Sequence, residues 1–298
     1  MFNYKSFLFF LVCFTATVNL LSQKSIAYEF IGSLALNNHP ETLITFELAF
    51  NEDDGVISGY SLTDFLGAHE TKNKILGTYD RKSKTITFEE KEIIYTKSDF
   101  NPDSFCNIHF EGAIKLRDKV SKLTGDFESY YPNGNSCLKG GLNLINKFKI
   151  DNLIAKIDER IQKSKKVDEQ TKREVNVRKL LADMKINKLS SNENLTLFTA
   201  SDSIEINFWD NGKEDGDKIN LFHNGKLILM NYEVMNAKKY LSLKLVTGKN
   251  EFKLVALNEG ELSPNTPKIE LIDENRVFEM QGDLKIKEYS IITVIKKL

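Results

Sequence analysis

Residues 57–80 read ISGYSLTDFLGAHETKNKILGTYD. Two runs of β-branched, aromatic and aliphatic residues each hold a glycine at their centre, Gly59 in ISGYS and Gly77 in LGTYD. A glycine inside a strand costs stability, so it marks a bend or a close approach of two backbones. The same pattern returns in EGAIK at 111, TGDFE at 124 and KGGLN at 139. Glycines repeated on successive strands are what a small, strongly coiled antiparallel barrel needs.

Around this core, residues 28–145 are strand-rich, and the turn clusters NNHPE, NEDDG, YDRKSK, NPDS and YPNGNS separate short apolar runs. The spacing predicts a meander of about eight strands closing on itself. In architecture such a meander resembles the lipocalin and avidin type of barrel, with no lipocalin signature motif. Two interiors fit such a barrel, one filled by side chains and one holding a ligand cavity. In the second case Glu89, Glu90, Glu92 and Asp126 are the carboxylates expected at the barrel mouth, where a small-ligand carrier or a hydrolase would place them.

Residues 1–27 carry Lys5 ahead of the apolar run FLFFLVCFTATVNLL, with small residues after it, the layout of a secretory signal peptide. Cleavage fits after Ser22 or after Ala27. The apolar run is shorter than the ~20 residues of a membrane-spanning helix, so the reading is an exported protein, periplasmic, surface-bound or secreted, with no span once the leader is removed. Of the three cysteines, Cys106 and Cys137 lie beyond the leader. In an oxidising compartment they read as one disulfide, the alternative being two buried thiols. The formal net charge of −1 gives no footprint for nucleic acid or an anionic membrane.

At residues 146–190 the composition changes. FKIDNLIAKIDERIQKSKKVDEQTKREVNVRKLLADMKI has no proline or glycine and is dense in charge, with Ile150, Leu153, Ile154, Ile157 and Ile161 at helical spacing. A charged helical linker is expected, with a short coiled coil or a helix on a barrel edge as alternatives. Residues 195–298 return to strands. SIEINFW alternates Ile204, Ile206 and Phe208 against Glu205, Asn207 and Trp209, and Asn224-Gly225 between KINLFH and KLILM is a hairpin signal. About eight strands in roughly a hundred residues suggest an antiparallel sandwich, immunoglobulin-like or jelly-roll-like. The fold class expected is therefore mainly β, with a barrel at 28–145, a linker at 146–190 and a sandwich at 195–298.

IEINFWDNGKEDGDKINLFHNGKLIL, with LVALNEGELSPNTPKIELID and GDLKIKEYSIITVI, resembles a module of exported Bacteroidota proteins. The resemblance rests on a DNG-x-x-DGD turn at Asp210 to Asp217, on Asn224-Gly225, on Asn258 to Gly260 and on Pro264 to Thr266. The barrel stretch looks like a second recurrent module of the same bacteria. Together they imply export, lineage and fold, and they supply no catalytic residue.

The acidic stretch DNGKEDGD is the segment most like a site. Set on Gly216, a helix-flanked calcium loop puts Lys213 at a ligand position and Phe222 where its glutamate belongs, which defeats that motif. A looser calcium loop would use Asp210, Asp215 and Asp217; a plain turn would use their side chains to bond nearby amides. No other cofactor is implied. The four histidines are scattered, and no nucleophile elbow or phosphate loop is present. Trp209, Tyr130 and Tyr131 are candidate contacts for a protein or glycan at the envelope. The function expected is non-enzymatic binding or assembly, with the carrier or hydrolase as the alternative.

Overall fold

The computed structural model describes residues 28–65, 69–99, 101–116, 121–164, 166–168, 172, 188–210, 214–274 and 276–297. The expected leader, the DNG turn at Asn211 and Gly212, and most of the linker after residue 164 lie outside them.

Eight strands follow one another in the first half: β1 (Tyr28–Leu36), β2 (His39–Asp53), β3 (Val56–Asp64), β4 (Thr71–Asp80), β5 (Thr85–Thr96), β6 (Asn107–Ala113), β7 (Lys122–Tyr130) and β8 (Ser136–Asn146). Each pairs antiparallel with the next, and β8 returns to β1 from Phe30↔Asn146 to Leu36↔Gly140, closing the barrel. The glycines work as read. A Cβ built on Gly59 would sit 2.0 Å from the Ala49 carbonyl oxygen, and one on Gly77 2.0 Å from that of Thr87. The strands approach so closely there that no side chain fits between them.

Asn146 caps the next element, its side chain accepting the Phe148 amide at 3.0 Å, and α1 (Lys147–Lys163) begins directly at the end of β8. No residue of α1 is buried. The apolar stripe lies half-open, with Leu153 58% exposed.

The C-terminal strands are β9 (Lys188–Ser190), β10 (Asn194–Thr199), β11 (Ser203–Trp209), β12 (Lys218–His223), β13 (Lys226–Glu233), β14 (Lys239–Lys244), β15 (Gly248–Ala256), β16 (Lys268–Asp273), β17 (Arg276–Asp283) and β18 (Tyr289–Lys296). They form two sets, β13-β12-β15-β18-β10 and β14-β11-β16-β17-β9. Ile204, Ile206 and Phe208 of one set share an apolar cluster with Leu221, Phe252 and Ile292 of the other. Asn224 and Gly225 turn β12 into β13 with φ of 49° and 78°. The expected all-antiparallel order does not hold, because β10 runs parallel to β18 and β9 parallel to β17. Leu245 to Thr247 carry the chain from one sheet to the other rather than closing a hairpin, since β14 and β15 belong to different sets.

The two halves are joined by backbone. β5 pairs with β10 through Thr96↔Thr196 and Tyr95↔Leu197, so the barrel wall continues into the first C-terminal sheet. Tyr95 is buried in the C-terminal cluster, with Leu62 and Ile94 packed beside it.

Candidate functional site

Stacked phenylalanines fill one half of the barrel. Phe30 and Phe50 have ring centroids 6.0 Å apart, Phe46 and Phe88 6.5 Å, Phe88 and Phe110 5.0 Å. Toward the other end this filling stops, because β5 leaves β6. Their ladder runs from Thr85↔Ala113 to Glu89↔His109, after which β5 goes on to reach β10. The Ile108 amide finds no strand partner on that side, and the carboxyl of Glu90 takes its place, Oε2 accepting it at 2.8 Å. Ser61 Oγ donates to Oε1 at 2.5 Å, and Asn73 adds a side-chain bond. A buried polar group must be paired, and this one is paired on both oxygens.

Above this floor the mouth holds a cavity of about 480 Å³. Leu34, Leu36, Ile44, Ile108 and Phe127 give it an apolar wall. Thr63, Thr71, Asn73, Ser98 and Ser129 put uncharged polar groups opposite. Much of their capacity is spent locally: Thr71 and Thr96 hydroxyls lie 2.8 Å apart, and Ser129 Oγ donates to the Leu138 carbonyl at 2.9 Å. At the rim, Phe65 stacks on His69 with centroids 6.4 Å apart, and Leu138 is 43% exposed. Cys106 and Cys137 are paired as a disulfide, Cα atoms 6.2 Å apart, and Cys106 lines the same rim.

Glu90 and His69 are the ionisable side chains among the described lining residues. Glu90 is 3% exposed, and burial pushes its carboxyl above the usual carboxylate range despite the bonds from Ser61, Ile108 and Asn73.

Of the four carboxylates expected at the mouth, the structure brings in one. Glu89 faces outward beside Lys91 and 3.8 Å from His109; Asp126 is exposed. Simple alternation from Glu90 would put Glu92 inside as well. The register shifts instead, Ile75 opposing Glu90 and Lys74 opposing Glu92, so Lys91 is an extra residue and Glu92 turns outward, 3.4 Å from Lys297. Among the described lining residues Glu90 is the single carboxylate. Sequence reading passed over Thr71 and Asn73. Their signal was available: polar residues at two alternate inward positions ahead of Ile75.

The acidic stretch folds against the loops after β13 and β15. Glu214 Oε1 accepts the Asn236 amide at 2.6 Å, Asp215 Oδ2 that of Leu262 at 3.1 Å, and Asp217 Oδ2 that of Thr266 at 2.8 Å. Asn258 answers, its Oδ1 accepting the Lys218 amide at 2.6 Å while its Nδ2 donates to the Gly216 carbonyl at 2.7 Å. The separate pieces DGD, NEG and PNT thus form one hydrogen-bonded patch. Asp217 is buried, and burial lifts its carboxyl to about 6; the Thr266 amide opposes this, while Asp215, Asp210 and Glu259 add to it. Asp210 donates its backbone amide to the Met235 carbonyl at 2.8 Å. Among the described residues no group of three His, Cys, Asp or Glu is placed to hold a metal ion.

Trp209 is half-buried, with Lys238 Nζ 4.2 Å above its ring. Tyr130 donates its hydroxyl to Glu128 at 2.5 Å and meets His109 edge-on at 5.0 Å; Tyr131 is 37% exposed in the following turn. None of these three aromatics is among the residues that line the cavity. No helix among the described residues is long and apolar enough to cross a membrane. No family model, characterised protein or solved structure matches the chain.

Proposed function

We propose that this is a non-enzymatic, exported binding protein of the cell envelope whose barrel carries a small, largely apolar ligand. One observation carries the reading: the mouth half of the barrel is hollow, about 480 Å³, with an apolar wall and a few oriented uncharged polar groups. That is the character of ligand pockets, whose volumes run from ~300 to ~1,000 Å³. An eight-stranded barrel is just wide enough to fill with side chains or to hold one small molecule, and this one does the first at one end and the second at the other. The leader and the Cys106–Cys137 pair support export to an oxidising compartment. The C-terminal sheets, read as a sandwich, serve as the docking unit toward an envelope protein or glycan, and the pairing of β5 with β10 holds the barrel beside them.

The test is binding of the neutral fluorescent probe N-phenyl-1-naphthylamine to the purified chain, with Leu36→Trp as the control. Saturable one-to-one enhancement that Leu36→Trp abolishes is expected, because the half-buried Leu36 stands in the cavity wall. A probe that is not bound, or that Leu36→Trp binds equally well, overturns the reading.

A further inference from the structure

We infer that the barrel selects an elongated apolar molecule with an uncharged hydrogen-bonding head, such as a fatty alcohol or amide, and rejects the corresponding anionic lipid. The inference rests on the barrel being a ligand carrier and names the ligand class.

Charge decides the ligand class. Among the described residues the cavity lining contains no lysine or arginine. The floor offers Asn73 and Glu90, the walls Thr63, Thr71, Ser98 and Ser129, all of them uncharged groups apart from the carboxyl. A carboxylate or phosphate head brought to this floor would leave water, find no cation, and face the oxygens of Glu90. An ion stripped of water without a partner is strongly disfavoured relative to a neutral head on the same tail. A hydroxyl or amide head meets no such penalty. The Glu90 oxygens, already held by Ser61 and Ile108, keep lone pairs for a donor, and the Asn73 amide serves either sense.

An anionic head left outside in water is the competing arrangement. The rim on that side presents His69, Phe65, Phe105 and Leu138, with no fixed cation to anchor it. Lys139, the next residue along β8, is already paired with Glu128 at 2.5 Å on the outer face.

Displacement of bound N-phenyl-1-naphthylamine by dodecanol, dodecanamide, dodecanoate and dodecyl phosphate at neutral pH tests this. The alcohol and amide are expected to compete at least about ten-fold more strongly than either anion, the charge penalty being partly relieved by residual water. Thr63→Lys, at a half-buried position near the end of β3, is expected to close that gap by giving the anions a partner. Dodecanoate competing as well as dodecanol against the wild-type chain overturns the inference. So does a probe displaced by none of the four, which leaves barrel binding standing and removes the chain-like ligand. A probe that never binds removes the carrier reading itself.

Discussion

Glu90 Oε2 accepts the Ile108 amide at 2.8 Å at the point where β5 and β6 part. One side chain thereby replaces a missing ladder bond and lets the barrel open. Glu90→Gln keeps an acceptor for that amide and is expected to cost less than ~1 kcal/mol, whereas Glu90→Leu orphans it and should cost ~2–4 kcal/mol. The pH dependence has a definite sign. The folded carboxyl titrates above its ordinary value of 4.5, so its contribution to stability is present below that value and is lost as pH rises through the folded pKa. Chemical unfolding at a series of pH values should therefore show the glutamine variant gaining on the wild type as pH rises. A constant difference would remove the raised titration of the Glu90 carboxyl from the account.

The disulfide closes a loop with a sequence separation of 31 residues across the rim, between the start of β6 and the start of β8. Chain entropy alone gives it roughly 3–4 kcal/mol. Urea unfolding of the Cys106→Ser, Cys137→Ser double variant should show a loss of that order. Probe affinity should fall with it, because Cys106 belongs to the cavity wall. Unchanged stability would mean that the denatured chain is not constrained by this bond.

Gly59→Ala and Gly77→Ala each push a methyl against a carbonyl oxygen that an ideal Cβ would meet at 2.0 Å. Backbone cannot yield there without shifting a strand, so a loss of at least ~2 kcal/mol is expected for each. Gly134→Ala is the control. Nothing lies within 4 Å of its added methyl, and any cost comes from its φ of +84° rather than from packing. Thermal melts that rank Gly134→Ala as the worst of the three would contradict the close-approach reading.

Much of the barrel was legible because its signals are local. Gly59 and Gly77 report the spacing between strands directly, and Asn224-Gly225 fixes its hairpin through φ alone. The site was less so. Glu90 and Glu92 are indistinguishable by alternation, and only the extra residue at Lys91, a product of how β4 and β5 pair, sends one inward and the other out. The parallel pairing of β10 with β18 joins residues about a hundred positions apart, which no short pattern encodes. The partners of the acidic stretch are illegible for a related reason: Asp215 and Asp217 accept amides of a loop more than forty residues on.

Asp217 gives the sharpest test of that last reading. Its Oδ2 holds the Thr266 amide, while its Oδ1 is buried without a hydrogen-bond partner among the described residues. With the folded carboxyl at about 6 and an ordinary value of 3.8, the folded state binds the proton more tightly than the unfolded chain. The stability this group contributes is thus fully present below pH 3.8 and is lost as pH rises through about 6. Asp217→Asn retains the acceptor for Thr266 and cannot ionise. It should match the wild type near pH 4 and exceed it by on the order of 1–3 kcal/mol at pH 8, since each pKa unit is worth ~1.4 kcal/mol. Paired unfolding curves across that range decide the matter. If the variant is the less stable at pH 8, the carboxylate is wanted as an ion, and the turn is not merely a set of amide acceptors.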